Sequence, residues 1–395
     1  MTEHEPQVAI VGGGIGGLTL AMALRGRGIR AEVHEQAPEL REVGAAVALS
    51  ANGTKLLRRL GVGDQLAECS AEPTELIYRH WQDGRRLAAH PAGKDYERRF
   101  GAPFYGIHRA DLQRVLAGAC GPQQVRLGSR ITELTPGADK VGLTFADGST
   151  SEADLVVGAD GVHSQVRSLV TTEDPAVYSG TSGFRGLIPV SEMPQLPDPG
   201  AIQYWTGPGA HVLHYPIGDG SVVNFLAVVD APHEWTSPTW TMATSRAEIA
   251  EFFAGWHPGV VEMVTATTLH QRWALFGQEP LGRWSRGRIT LLGDAAHAML
   301  PHHGQGANQT IEDAIALADL LAGHTDRTAA LAAYERVRRA RTRNVQRSSW
   351  VASELLHLPD GPRREARDRA LNSELPAMLS WIHSHDAGIP PRLPG

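Results

Sequence analysis

The chain has 395 residues, more than one small core needs and enough for roughly two or three domains. Its 37 Lys and Arg stand against 43 Asp and Glu, a formal net charge of -6 with both signs interspersed, which excludes the basic footprint of a nucleic-acid or anionic-membrane binder. Cys69 and Cys120 lack the number and spacing of a disulfide framework or zinc site, and no run nears the roughly 18 apolar residues of a membrane span. With a polar start, Met1 to Gln7, that does not read as a signal peptide, a reducing cytoplasm is the expected compartment.

Val8 to Val11 is a short apolar run that ends in Gly12, Gly13 and Gly14, and Leu18 to Leu24 follows with good helix formers. The pattern predicts strand, tight turn and helix, and a second strand, Ala31 to His34, ends at Glu35. Residues 53 to 68 carry helical periodicity broken by Gly61 and Gly63, a strand and turn run from Leu76 to Gly84, and His108 to Ala117 reads as a helix. Between Val125 and Val157 short alternating segments predict a small antiparallel meander, closed by a strand at Asp154 to Val157. Between about 175 and 285, Pro-rich loops and turn-separated strands predict a mainly antiparallel β substrate unit. Arg288 to Leu292 is one more strand, Gly304 to Leu321 a glycine-opened helix, and 328 to 357 a C-terminal helix packed through its apolar stripe. The expected division is therefore 1–174 with 286–326 as a discontinuous nucleotide-binding unit, 175–285 as the substrate unit, and 327–395 as a helical segment.

Three glycine turns carry the chemistry. Gly12, Gly14 and Gly17, with Ile15 and Gly16 between them, follow a strand and open a helix, and Glu35 stands eighteen residues past Gly17. Such glycines let a backbone approach a pyrophosphate, the helix N-terminus favours its charge, and the terminal carboxylate can accept from ribose hydroxyls. This points to a dinucleotide rather than a merely structural turn. The second turn is Gly158-Ala159-Asp160-Gly161, with Arg167 beyond it. The third is Gly293-Asp294-Ala295-Ala296-His297, followed by Pro301 and by Gly304-Gln305-Gly306-Ala307-Asn308 opening a helix.

In this order, from Val8 to the helix bearing Tyr334 and Arg338, the chain resembles the single-component flavoprotein monooxygenases. That group contains the para-hydroxybenzoate, salicylate and 3-hydroxybenzoate hydroxylases. The resemblance implies an α/β fold: a Rossmann-type FAD-binding domain like that of para-hydroxybenzoate hydroxylase, an antiparallel β substrate domain and a C-terminal helix. It implies that Gly12, Gly14 and Gly17 with Glu35 hold the ADP half of FAD, that Arg109 contacts the cofactor, and that Asp160 lies near the pyrophosphate. It further implies that Asp294 bonds the ribityl hydroxyls, and that Gly306, Ala307 and Asn308 bring backbone N–H groups and a helix N-terminus to the anionic edge of reduced flavin. NADH or NADPH would reduce the flavin without a second glycine fingerprint, and O₂ would yield a C4a-hydroperoxide that hydroxylates a small aromatic substrate. A monomer or homodimer is expected, with neither nucleic acid nor membrane as partner.

For the substrate, period-two alternation puts His211, Leu213 and Tyr215 on one strand face and His214 on the other. A His and Tyr together could accept a phenol proton, which activates the ring toward an electrophilic oxygen. The segment is similar to one that contacts substrate in 3-hydroxybenzoate and 6-hydroxynicotinate hydroxylases. By the same resemblance Pro301 and His302 line the ring face, and Val47, near the cofactor, stands where the 6-hydroxynicotinate enzymes carry a His, which argues against that particular activity. Arg185 either meets a substrate carboxylate or is a sheet-edge charge. Other readings stay open: Arg109 pairing with Asp111, Asp294 as an N-cap, and His211 as a sheet histidine. The spacing of His297, His302 and His303 matches no common metal-ligand set. The rival functions are a flavoenzyme acting on non-aromatic carbon, such as an epoxidase or dehydrogenase, and a non-catalytic FAD-fold binding protein.

Overall fold

The strand Val8–Val11 is apolar throughout because both faces of its sheet are covered. In the computed structural model, which describes residues 7–40, 46–172, 176–231, 235, 237 and 239–388, it sits inside a six-stranded sheet. The expected unit boundary at 174/175 and both chain ends lie outside these residues. The sheet order is Ser285–Arg286, Ile289–Leu291, Leu155–Gly158, Val8–Val11, Ala31–His34 and Val125–Arg126. All neighbours pair in parallel except the first two. The helices Ile15–Arg25 and Gly306–Gly323 pack on one another beside this sheet, Ile15–Arg25 burying every residue from Ile15 to Leu24. The parallel strands all end at the same edge, so the turns after Val11, His34, Gly158 and Leu291 converge there, where ligands bind in open α/β sheets.

The expected meander is present as Ile131–Pro136, Val141–Phe145 and Thr150–Ala153, an antiparallel sheet of its own. Its expected flanks, however, belong to the parallel sheet: Val125–Arg126 extends Ala31–His34, and Leu155–Gly158 lies beside Val8–Val11. The helical stretch at 53–68 is two helices, Ala51–Arg59 and Gly63–Glu68, separated where Gly61 takes φ +85°.

The substrate-side sheet has eight strands in the order Thr241–Ala243, Gln271–Gln278, Ala176–Pro189, Val222–Asp230, Ala210–Ile217, Ile202–Gly207, Glu75–His80 and Arg86–Pro91. Two of these come from residues 75–91, ahead of the stretch in which the substrate unit was expected. Glu75–His80 joins through parallel pairing with Ile202–Gly207, the one parallel pair in an otherwise antiparallel sheet. Alternation then sorts the side chains. Phe184, Trp205, Val212 and Phe225 bury one face under the helices Arg246–Phe252 and Pro258–Ala266, which are insertions in a region that reads as β from sequence. Each such side chain contributes about 1.5–3 kcal/mol on full burial. Arg185, Leu213, Tyr215, Asn224 and Leu226 turn the other way, toward the nucleotide-binding unit.

At the C-terminus the expected helix spans Arg327–Leu356, and two more follow, Pro362–Ser373 and Leu375–His383. The first of these packs against Arg86–Pro91 and the second against Ala51–Arg59, so the tail ties the two sheets together. No helix among the described residues is long and apolar enough to cross a membrane.

Candidate active site

Between the C-terminal edge of the parallel sheet and the open face of the eight-stranded sheet lies a cavity of about 1370 Å³. That exceeds the roughly 300–1,000 Å³ of ordinary ligand pockets and leaves room for a dinucleotide together with a small substrate. Gly12, Gly14, Ile15, Gly16, Glu35, Val47, Arg109, Asp160, Asp294, Gly304, Gly306 and Ala307 all lie on its wall.

The first turn is a cradle that only glycine can form. Gly12 has φ +109°, and a Cβ there would lie 2.5 Å from the Ala159 carbonyl oxygen. A Cβ on Gly17 would meet the Gly12 carbonyl at 2.0 Å, so Gly17 serves the close packing of helix on turn rather than the cavity wall. Glu35 accepts from the backbone N–H of Gly13 at 2.7 Å and of Ala37 at 2.8 Å, which locks its carboxylate at the strand end. Gln113 donates to the Gly13 carbonyl at 3.1 Å.

Asp160 accepts from the backbone N–H of Gln165 and Val166 through Oδ2, while Oδ1 is buried without a partner. An unsatisfied buried acceptor costs on the order of 1–3 kcal/mol, which is tolerable where a ligand donor completes it. Asp294 is the first residue of the short helix Asp294–His297 and makes no capping bond; Gly293 is the N-cap, so the alternative N-cap role does not hold. Asp111 pairs with Arg114 at 2.7 Å, and Arg109 lies on the cavity wall. The donor set fits FAD: a carboxylate for ribose, backbone N–H groups and Arg109 for phosphate, Asp294 for a polyol, and the N-terminus of Gly306–Gly323 for an electron-rich ring edge.

Asn308 departs from expectation. It is fully buried and off the cavity wall, accepting from Ser50 N and donating to the Ala48 and Gly304 carbonyls. It therefore fastens the helix start to the strand Ala46–Leu49 that carries Val47, while Gly306 and Ala307 alone of the three reach the cavity.

Behind this wall lies a buried charge cluster. Arg338 bonds Glu312 at 2.5 Å, Asp313 at 2.6 Å and the Gln309 side chain at 3.0 Å, and Arg341 bonds Glu312 at 2.8 Å. Asp313 also holds Gly293 N at 3.0 Å and His297 Nε2 at 2.5 Å, so the cluster sets the position of the Gly293-Asp294 turn. His297 is thus a hydrogen-bond partner of Asp313, and among the described residues no group of three or more His, Cys, Asp or Glu side chains is placed to hold a metal ion.

On the substrate side, Arg185, Tyr215 and Pro301 line the cavity. Arg185 pairs with Leu226 of the neighbouring strand, and its guanidinium sits 4.2 Å over the Trp273 ring with Nε unpartnered. Burial, and then the charge of Arg109, push its pKa down. Leu226 links Arg185 to Leu213 in adjacent register, and Asn224 lies opposite Tyr215.

His211 shares the predicted face with Leu213 and Tyr215 but does not reach the cavity wall; nor does His302. His211 is 1% and His302 2% exposed, with ring centroids 5.0 Å apart, one layer behind Pro301. Neither ring nitrogen of His302 has a partner. His214, on the opposite face as alternation predicts, accepts from Trp205 Nε1 at 3.1 Å. Sequence reasoning missed Gln113, although its spacing of four from Arg109 on the helix Arg109–Cys120 puts both on one face. It also missed Asn224, Trp240, Trp273 and Phe276 on the cavity wall, whose strand partners only the fold reveals.

Comparison with known proteins agrees with this geometry. A family model described as an FAD binding domain matches residues 5–349. The 3-amino-4-hydroxybenzoate 2-monooxygenase PtnB3 of Streptomyces platensis is 41% identical over 389 residues, 98% of each chain. The 6-hydroxynicotinate 3-monooxygenase of Pseudomonas fluorescens is 35% identical over 350 residues, 88% of this chain and 91% of that protein. Among solved structures, Klebsiella pneumoniae HpxO complexed with FAD and uric acid has a TM-score of 0.84 at 30% identity, covering 96% of both chains. A salicylate hydroxylase substrate complex has a TM-score of 0.83 at 30% identity, covering 97% of both.

Proposed function

This chain belongs to the FAD-binding-domain family and is an FAD-dependent aromatic monooxygenase, and from that premise we propose that its substrate is a small phenol or aminophenol bearing a ring carboxylate. When bound, the flavin, with NAD(P)H as reductant, activates O₂ so that one oxygen atom enters the ring and the other leaves as water.

The observation that carries the substrate class is Arg185. Its guanidinium lies on the cavity wall, stacked on Trp273, with no carboxylate among the described residues pairing with it and a second cation, Arg109, nearby. A half-buried cation is costly until an anion meets it, and a bidentate guanidinium suits a carboxylate. The 3-amino-4-hydroxybenzoate 2-monooxygenases and salicylate hydroxylase act on rings that carry this group. Leu213, Leu226 and Trp273 supply the apolar surround, Tyr215 and Asn224 the polar contacts, and Pro301 closes the pocket on the side of His302 and His211.

In this reading the phenol proton leaves toward His302 and His211. Burial keeps both imidazoles neutral at neutral pH, each with a ring lone pair open, and disfavours their charged form, so a proton taken there is held only in passing. His211→Ala is expected to lower product formation by about 100-fold, the usual size of a general-base contribution, measured as hydroxylated product per NAD(P)H consumed. Unchanged turnover rejects the role.

A panel of 3-amino-4-hydroxybenzoate, its carboxamide and the parent aminophenol, read by substrate-stimulated NAD(P)H oxidation and product mass, tests the substrate class. Arg185→Gln is expected to raise KM for the carboxylate by roughly 100-fold while leaving the carboxamide nearly unaffected, since truncating one partner of a buried charge pair costs about 2–5 kcal/mol. Equal loss for both substrates, or none, refutes the carboxylate reading.

A further inference from the structure

A second cavity, of about 150 Å³, lies under the C-terminal helix Leu375–His383 and shares no lining residue with the larger one. Residues four apart build its walls. Tyr96 and Phe100 stand on one face of the helix Lys94–Phe100, Leu379 and His383 on one face of Leu375–His383, and Phe104 and Ile202 complete the box. The His383 ring centroid lies 5.7 Å from that of Tyr96, 5.6 Å from Phe100 and 6.5 Å from Phe104. An apolar cavity of about this size stays dry and takes a ring the size of benzene.

The wall carries one directed polar group. Ala51 N donates to the Tyr96 hydroxyl oxygen at 3.0 Å, and that hydroxyl lies 2.9 Å from His383 Nδ1. The hydroxyl proton has no other acceptor among the described residues, so Nδ1 holds the lone pair and the imidazole N–H is on Nε2. Burial keeps the ring neutral, which makes this N–H its single donor. His383 is 6% exposed and lines the cavity, and its Nε2 makes no hydrogen bond among the described residues. A buried donor so placed is costly until an acceptor meets it. His90, also on the wall, gives its own N–H to the Leu371 carbonyl at 2.9 Å. Asp95 and Arg99 border the cavity from exposed positions, and Arg99 already donates to the Pro376 carbonyl at 2.8 Å and to Ser380 Oγ at 3.1 Å. Among the described residues no further charged side chain lines the cavity, so the fit is to an uncharged ligand with a hydrogen-bond acceptor.

We propose that this cavity is a second ligand site, for a small uncharged ring bearing one carbonyl oxygen, with the ring among Phe100, Phe104 and Leu379 and the carbonyl accepting from His383 Nε2–H. Binding is reversible, and no covalent bond is made or broken. The site acts as an effector site, because the Tyr96 hydroxyl that orients His383 also holds Ala51 N. Ala51 follows Ser50, whose N–H donates to Asn308 at the start of the helix Gly306–Gly323. A ligand that fixes His383 against Tyr96 therefore steadies the seat of the flavin-side helix, and FAD in turn favours the ligand.

The test uses the FAD-loaded enzyme, with 3-amino-4-hydroxybenzoate present to occupy the larger cavity, and measures binding of benzaldehyde and of its isostere styrene, which lacks the acceptor, by equilibrium dialysis. Wild type is expected to bind benzaldehyde with a Kd on the order of 0.1–1 mM. His383→Phe keeps a ring and removes the donor, so benzaldehyde affinity should fall roughly 10-fold while styrene affinity stays within about 2-fold. Ala92→Leu, which extends a small buried wall residue into the cavity, should abolish binding of both probes and leave hydroxylation at the wild-type rate. Saturating benzaldehyde should lower the Kd for FAD about 5-fold in wild type and not in Ala92→Leu. Absence of saturable benzaldehyde binding to wild type below about 10 mM, or binding that survives Ala92→Leu, overturns the site. Equal weakening of both probes in His383→Phe overturns the carbonyl contact. An FAD Kd that bound benzaldehyde does not move overturns the effector role and leaves the site standing.

Discussion

Replacing Arg338 by methionine is expected to destabilise the protein by about 3–5 kcal/mol, the usual cost of breaking a buried ion pair by removing one partner. Arg338, Glu312 and Asp313 are each fully buried, and the guanidinium bonds both carboxylates at once. After the substitution Glu312 keeps Arg341 and Asn52, and Asp313 keeps His297 and Gly293 N, but the charge balance of the cluster is lost. The melting temperature should fall by on the order of 10 °C. Because Asp313 also fixes Gly293 N, the adjoining Asp294 turn should loosen and FAD should be lost more readily on dilution. Arg338→Lys should recover only part of the stability, since an ammonium cannot span two carboxylates as a fork does. A thermal melt within about 2 °C of wild type, with full flavin retention, would show that the cluster is not structural. The cluster also has an acid limit: the arginines, with His297 beside Asp313, hold both acids below their ordinary values against the opposing pull of burial. Their contribution is therefore complete above the unfolded carboxylate pKa, near about 4, and is lost as pH falls further.

Much of the cofactor side was legible because its signals are local. A strand, a glycine turn and a helix lie within Val8 to Arg25, and the turns at Asp160 and Asp294 each follow their own strand. Parallel pairing then brings the three turns to one edge, as their motif order implies. The substrate side was legible only by face. Period two correctly separated His211, Leu213 and Tyr215 from His214, but depth along a strand depends on what covers it, and Pro301 stands between His211 and the cavity. Asn308 looked like part of the flavin edge because its neighbours are, whereas helical rotation turns it inward to Ser50. The strand Glu75–His80 was visible as a strand, but its place beside Ile202–Gly207 follows from pairing across more than a hundred residues. The hydrogen bonds from His211 to His357 and from His357 to Asp230 join positions 146 and 127 apart, beyond the reach of any spacing rule.

The same burial that keeps the site histidines neutral sets an acid limit well above that of the carboxylates. His211, His214, His302 and His383 are between 0% and 6% exposed. Burial pushes His214, His302 and His383 down to about 3, with Arg79 adding to the effect on His214, His357 and His303 on His302, and His303, Arg341 and Lys55 on His383. His211 is lowered in the same direction by burial and then by His357 and His302. The folded pKa of each thus lies below the unfolded value of about 6.5. Above that value neither state binds the proton and stability is unaffected. Below it the unfolded chain takes up protons that the native state refuses, and stability falls until the folded pKa is reached. Each group contributes a slope of about 1.4 kcal/mol per pH unit, so four give roughly 5 kcal/mol per unit. Against a total stability of about 5–15 kcal/mol, unfolding should be reached within roughly one to three units below pH 6.5. Denaturant melts between pH 7.5 and 5 should show a proton uptake on unfolding of at least about three, with m unchanged. His383→Gln, which can keep a hydrogen bond to the Tyr96 hydroxyl now made at 2.9 Å, should remove about one proton from that slope. A slope below about one proton would mean that these imidazoles titrate freely in the native fold, and the burial-enforced neutral state assigned to His211 and His302 would lose its physical basis.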